Sequence, residues 1–367
     1  MIAELYTGDR CLEQLPKLIH ERYGEAASVL LVHGKTSFFA SGADALLYSD
    51  YPLQWEHFDA VKPNPEVESV AAAAEKCQQL QPAVVVAVGG GSVIDTAKGM
   101  LALSTSTSVD QLISGDFSVP DNRPLFVAVP TTAGSGSEAT HFSVLYRDGV
   151  KYSIAHQLLR PDIVLLDPTL LRSCPEPLSL AAGADAVCQC VESLWNKNAT
   201  DRSRELALEG LQLLLPVFFE RRNWDQKLLG AHRAGQAIDI TKTTAGHALS
   251  YGLTSLFGIP HGFAVLAVMQ QLVATMTIHD VVPAVTADEI ENCFSAWGAQ
   301  FISSFQAFAE AVWERHSLRP YLAESALSAV NQLTKSVNLQ RLANHPVLIT
   351  EQEANKVYET LFRRHNG

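Results

Sequence analysis

The sequence predicts an α/β unit built on a mostly parallel sheet, followed by an all-α half. Three observations lead there. Short β-branched runs alternate with helical patterns through the first half of the chain. Those runs are apolar on both faces, which suits strands covered by helices on either side. After Pro168 the texture changes to helical periodicity with few strand signals.

Four segments read as strands: "ASVLLVHG" (27–34), "PAVVVAVGG" (82–90), "PLFVAVPT" (124–131) and "DIVLLDP" (162–168). Between the first two, "PEVESVAAAAEKCQQL" (65–80) repeats apolar residues at helical spacing and predicts a helix. The second half reads as helices in "PLSLAAGADAVCQCVESLWNK", "DRSRELALEGLQLLLPVFFERR", "DQKLLGAHRAGQAIDITKTTAGHALSYGL", "ALSAVNQLTKSV" and "EQEANKVYETLFRR". The predicted division is 1–170 and 171–367, with a cleft between the halves. No internal repeat or low-complexity segment appears.

Composition narrows the function. Apolar residues make up 47% of the chain, enough for a sizeable core, but no tract is long enough to span a bilayer. The N-terminal "MIAELYTGDRCLEQL" has no basic flank before an apolar block, so no secretory signal is expected. Six cysteines are scattered without a CxxC, which fits reduced thiols in the cytoplasm. A formal net charge of -12 without a basic block argues against a nucleic-acid surface. An anionic ligand must therefore be held by local donors, against the overall field.

Two loops supply such donors. "VAVGGGSVIDTAKGM" (86–100) puts three glycines between a strand and a helix, where bare backbone N–H groups can face a phosphate. The pattern is not GxGxxG, so it is no standard Rossmann fingerprint. "VPTTAGSGSEAT" (129–140) follows the next strand with hydroxyls and little bulk. Ligands of open α/β sheets bind at such carboxyl ends. The end of the first central strand carries Gly34 and Lys35 where an acid would accept the ribose hydroxyls of NAD. That leans toward NADP(H), or use of both NADP(H) and NAD(H).

The helical half offers metal-ligand chemistry. Asp185 and Gln189 are four residues apart on one helical face, though glutamine is a poor ligand. His247 and His261 are separated by fourteen residues, about 21 Å along a straight helix. Gly258-Ile259-Pro260 supplies the break that would fold the chain back between them.

In this order and spacing, "GGGSVIDTAK", "PTTAGSGSE", "GADAV…ES" and "HALSYGLTSLFGIPHG" resemble the iron-containing (group III) alcohol dehydrogenases, from about Tyr6 to about Val273. The resemblance implies a dinucleotide-binding α/β domain and a helical metal-binding domain, the dehydroquinate synthase-like fold. It implies that Gly89, Gly90, Gly91 and Ser92 cradle the pyrophosphate, with Asp95 and Lys98 nearby. Thr131, Thr132, Ser137 and Lys151 would line the ribose and nicotinamide side. The family's four metal ligands, one aspartate and three histidines, fall on Asp185, Gln189, His247 and His261. "KTSFFASGADALL", "KYSIAHQLLRPDIVLLDP", "ESLWNKNATDRSRELAL" and "ITKTTAGHALSYGLTS" are similar to the branch that reduces phosphonoacetaldehyde to 2-hydroxyethylphosphonate.

The implied chemistry is hydride transfer from a reduced nicotinamide to an aldehyde, with a divalent cation as Lewis acid. Iron(II) is the family's metal, and zinc or nickel would suit the same donors. Gln189 admits three readings: a weak neutral ligand, a hydrogen-bond partner of a metal-bound water, or a sign that the metal is absent. A weakened but real site is favoured, because three of the four ligand positions survive. Tyr251 is the candidate for the group near the nicotinamide, as phenol donor or simply as a wall. Lys242, a little over one helical turn before His247, is the candidate substrate lysine, with Thr243, Thr244, Ser153 and His156 as further donors for a phosphonate. The expected partners are a small aldehyde or alcohol and a second copy of the chain in a homodimer, with no membrane. Alternatives are a general alcohol dehydrogenase, a metal-independent enzyme like the maleylacetate reductases, a dehydroquinate-synthase-like cyclase, and a nucleotide-binding protein with a decayed site.

Overall fold

The computed structural model describes residues 3–48, 51–103, 108–322 and 329–366. The described chain separates into two compact units. One comprises Met1–Cys174 with Arg221–His232, and the other Pro175–Glu220 with Arg233–Gly367. Residues 221–232 thus cluster with the first unit, although their helical pattern places them in the second half on sequence grounds.

The first unit carries a six-stranded sheet formed by β1 (Glu4–Thr7), β2 (Ser28–His33), β3 (Gln54–Phe58), β4 (Val84–Gly89), β5 (Leu125–Pro130) and β8 (Ile163–Leu166). Its order is β1-β8-β5-β4-β2-β3, and every pairing is parallel. The four central strands are the four legible in the sequence. They are buried on both faces, so nearly every position is apolar. The edges β1 and β3 were not read. β3 is "QWEHF", alternately exposed and half-covered, and its polar positions break the apolar run. A separate antiparallel hairpin, β6 (Phe142–Arg147) and β7 (Val150–Ala155), also went unread.

Helices of eight or more residues in this unit begin with α1 (Leu15–Tyr23), α2 (Val67–Leu80) and α3 (Gly91–Leu103). In α2, Val67, Val70, Ala73, Ala74 and Cys77 recur at helical spacing and are buried. They meet Leu30, Val32, Val85 and Ala87 of the sheet and Ile94, Ala97 and Leu101 of α3 in one apolar cluster.

The second unit is helical. It holds α4 (Glu176–Trp195), α5 (Asp201–Leu214), the end of α6 (Trp224–Thr241), α7 (Ala245–Phe257), α8 (His261–Val273), α9 (Ala284–Cys293), α10 (Phe301–Arg315) and α11 (Glu351–Asn366). The predicted helix at 326–337 lies partly outside the described residues; within them a helix spans Val330–Lys335. In α8 every residue from Gly262 to Val273 is buried, as expected of a helix surrounded by others. It comes close enough to α4 that a Cβ on Gly262 would lie 1.8 Å from the Ala181 carbonyl oxygen. No described helix is long and apolar enough to cross a membrane.

Candidate active site

Within the first unit the two polar loops lie side by side. Gly89 and Pro130 are paired in register at the carboxyl ends of β4 and β5, and the Thr131 N–H donates to the Gly89 carbonyl at 3.0 Å. Glycine leaves room where the loops touch. A Cβ on Gly91 would lie 2.6 Å from Ser135 Oγ, and one on Gly90 would lie 3.3 Å from Thr132 Oγ1. Ser92 follows in the first turn of α3, whose amino end therefore opens beside Thr131 and Thr132.

Asp95 and Lys98, expected near the pyrophosphate, brace the second loop. Lys98 is fully buried, and its ammonium donates to the carbonyls of Ser137 (2.6 Å), Thr140 (2.7 Å) and Phe142 (2.8 Å) and to Thr140 Oγ1 (3.0 Å). Asp95 accepts from Ser137 Oγ and from the Val144 N–H. Burial raises the Asp95 carboxyl, with Lys98 and then Ser137 pulling against it. Both side chains clamp the second loop to α3. The loop's Glu138 is fastened in turn by His232, 3.1 Å away, with both side chains buried. Lys151 lies on β7, where its charge acts on Asp95. At the end of β2, Gly34 packs so closely that a Cβ would meet Ser37 Oγ at 2.3 Å, while Lys35 is exposed.

Within the second unit, Asp185, His247 and His261 each offer a ligand atom, and these atoms all lie within 4.8 Å of one another. The convergence has a local cause. α7 ends at Phe257, Gly258 takes a left-handed φ of 67°, and Pro260 starts α8, so the chain doubles back. The two imidazole rings end 5.4 Å apart. Asp185 Oδ1 is 3.1 Å from His247 Nε2. Donors bonded to one tetrahedral cation at about 2.0–2.1 Å are separated by about 3.4 Å, so this pair already has the required spacing. A carboxylate with two imidazoles suits a divalent transition metal. The residues present fit the cation that the motifs imply.

The electrostatics agree. Burial pushes the Asp185 carboxyl up, but the His247 hydrogen bond, the His261 and His247 charges and the Gln189 amide outweigh it and hold it down. Burial pulls His247 down, while the Glu192 and Asp185 carboxylates raise it to about 9. Gln189 is buried one turn beyond Asp185, and its amide hydrogen-bonds the Asp185 carboxylate.

Tyr251 stacks on His261, with ring centroids 6.0 Å apart and planes 24° apart. Burial raises its phenol, so it keeps its proton at neutral pH. Lys242 requires a correction. The helical spacing that would bring it round to His247 does not exist, because α6 stops at Thr241 and α7 starts at Ala245. Lys242 sits in the break with φ of 63° and is exposed. Of the other phosphonate donors, Thr244 is committed to Glu192, and His156 Nδ1 accepts from the Leu158 N–H. Ser153 is exposed on β7.

Glu192 escaped the sequence analysis. It is fully buried and bonds both His247 and the start of α7. The available signal was its place at the third step of an i, i+4, i+7 polar stripe, Asp185-Gln189-Glu192, on an otherwise apolar helix.

Glycine- and hydroxyl-rich loops at adjacent parallel strand ends, and an Asp-His-His cluster in the helical unit, suit a dinucleotide- and metal-dependent oxidoreductase. A family model described as iron-containing alcohol dehydrogenase matches residues 3–168. An NADPH-dependent butanol dehydrogenase of Clostridium saccharobutylicum is 28% identical over 71% of this chain and 69% of its own length. A phosphonoacetaldehyde reductase of Streptomyces viridochromogenes is 33% identical over 54% of each, so the match spans about half of that relative. The crystal structure of sulfoacetaldehyde reductase from Bifidobacterium kashiwanohense in complex with NAD+ superposes with a TM-score of 0.83 at 26% identity. It covers 98% of this chain and 97% of that one. The chain is thus similar to the iron-containing alcohol dehydrogenases, over its first unit by the family model and over nearly its whole length by fold. It is an oxidoreductase of the alcohol and aldehyde type, and the family it resembles works with NAD(P) and a divalent metal.

Proposed function

We propose that this protein reduces a small anionic aldehyde to its primary alcohol, with phosphonoacetaldehyde as the leading substrate. The convergence of Asp185, His247 and His261 carries the reading of the reaction. A divalent cation held there supplies Lewis acidity at the carbonyl oxygen, and a reduced nicotinamide supplies the hydride. Iron(II) is the metal expected from the family, and zinc or nickel would fit the same donors. Gln189 then acts chiefly by orienting Asp185 through its amide.

On this reading the chain's own residues bind and orient. Gly89, Gly90, Gly91 and Ser92 leave backbone N–H groups facing the dinucleotide phosphates. Thr131, Thr132 and Ser137 border the same loops, and Lys151 adds positive charge. Tyr251 keeps its proton and holds it beside His261, where it serves as donor to the new alcohol oxygen.

Two comparisons support an anionic aldehyde: one relative acts on phosphonoacetaldehyde, and one structural neighbour on sulfoacetaldehyde. For the cofactor, Gly34 and exposed Lys35 favour NADP(H), with Asp59 at the end of β3 as the nearby acid that would favour NAD(H). A homodimer in the cytoplasm is part of the same proposal.

The test follows NADPH and NADH oxidation with phosphonoacetaldehyde, sulfoacetaldehyde, propionaldehyde and small keto acids, before and after chelation and metal replacement. A higher kcat/KM on the charged aldehydes, lost with the metal and restored by iron(II) or zinc, is the expected result. Turnover confined to uncharged aldehydes overturns the substrate. Full turnover after exhaustive chelation overturns the metal.

A further inference from the structure

The side chain that most constrains the metal cluster is not one of its donors. Glu192 of α4 is fully buried, and a carboxylate in that position persists only when well partnered. Its Oε1 accepts from the Thr244 N–H (3.0 Å), Thr244 Oγ1 (2.6 Å), the Gly246 N–H (2.8 Å) and the His247 N–H (3.3 Å). These are the unsatisfied donors at the amino end of α7, where a carboxylate is favoured. With Oε1 so held, Oε2 has one direction left, and it meets His247 Nδ1.

The surroundings reinforce the arrangement. Gly246 allows the approach, since a Cβ there would lie 2.5 Å from Met269 Sδ and 3.0 Å from Glu192 Oε1. Thr244 Oγ1 is held from behind by the Trp195 indole N–H at 3.0 Å. A carboxylate on Nδ1 requires the ring proton there. With the Nδ1 proton held by Glu192, a cation that displaces the Nε2 proton would find the Nε2 lone pair directed toward the Asp185 side, where the cluster's other donors lie.

We propose that Glu192 is the positioning residue of the metal centre: it fixes the tautomer and orientation of His247 and thereby sets metal retention. This rests on the metal reading of Asp185, His247 and His261. Glu192 itself touches neither cation nor substrate. Loss of such a carboxylate partner typically weakens metal binding by about 10–100-fold.

The test compares wild type with Glu192→Gln, Glu192→Asp, Thr244→Val and Asp185→Ala. Cobalt(II) and zinc dissociation constants are measured by chelator competition, with the cobalt(II) visible spectrum and the thermal unfolding of the metal-free proteins. Glu192→Gln is isosteric but presents an N–H to Nδ1, which favours the wrong tautomer. It is expected to weaken cobalt(II) binding at least about tenfold and to alter the cobalt spectrum. Thr244→Val removes one donor to Oε1 but leaves the Nδ1 contact. It is expected to lower the unfolding temperature while keeping affinity within about threefold.

If Asp185→Ala still binds one cation as tightly as wild type, the metal reading itself fails. If Asp185→Ala loses the cation while Glu192→Gln keeps wild-type affinity and spectrum, only the positioning role is overturned. Equal weakening by Glu192→Gln and Thr244→Val also overturns it, since a general structural role would do that. Should Glu192→Gln not fold, Glu192→Asp retracts the carboxylate by one methylene and gives the same reading: weakened binding supports the role, and unchanged binding overturns it.

Discussion

Replacing Gly262 by alanine probes the contact on which the metal cluster depends. The new Cβ would lie 1.8 Å from the Ala181 carbonyl oxygen, 2.7 Å from its carbon and 3.0 Å from Asp185 Cβ. An ordinary carbon–oxygen approach is about 3.3 Å, so α8 must retreat from α4 by about 1.5 Å. The obstacle is backbone, which cannot rotate away, and Ala181 O is the carbonyl to which an α-helix ties the Asp185 N–H. Overpacking of this kind costs about 1–3 kcal/mol, here at the upper end. For a unit of this size each kcal/mol lowers the unfolding temperature by about 2–4 °C. His261 begins α8 and Asp185 lies on α4, so the same retreat separates two of the proposed ligands, whereas metal bonds tolerate only about ±0.2 Å. Calorimetry of the metal-free variant should therefore show a drop of several degrees, and chelator competition a loss of zinc affinity of at least about tenfold. Wild-type melting together with wild-type affinity would refute the close-packing account.

Three further outcomes are expected. His345 is buried, and burial first of all lowers its imidazole to about 4, against 6.5 in the unfolded chain. The unfolded state thus binds more protons, so stability should fall by about 3 kcal/mol as pH drops from 6.5 to 4, and denaturant titrations of His345→Gln should show a flatter profile. Lys98→Met strands three loop carbonyls, each worth about 1–3 kcal/mol when left buried and unmet. It should lower the urea midpoint and weaken NADPH binding measured by fluorescence, with the zinc constant unchanged. Gln189→His should tighten zinc retention by roughly tenfold or more, by supplying an imidazole in place of an amide; unchanged retention would mean that residue 189 acts only on Asp185.

Much of this protein was legible from residue order alone. Fully covered strands need unbroken apolar runs, so β2, β4, β5 and β8 could be read directly. The glycine and hydroxyl loops were legible because backbone approach restricts residue type, and the fold-back before His261 because Gly258 and Pro260 cannot continue a helix. Edge strands β1 and β3 were not, since one exposed side dilutes the pattern.

Tertiary structure alone decided what the buried charges do. Lys98 finds its acceptors 39–44 residues away, and Glu192 finds its donors 52–55 residues away. No local spacing encodes partners that meet only when helices pack. Lys242 shows the converse: a helical spacing fails once the chain breaks at residues 242–244. The sequence determined which side chains were available to chemistry. Packing decided which of them meet one another, a loop or water, because burial removes the solvent that would otherwise satisfy each charge.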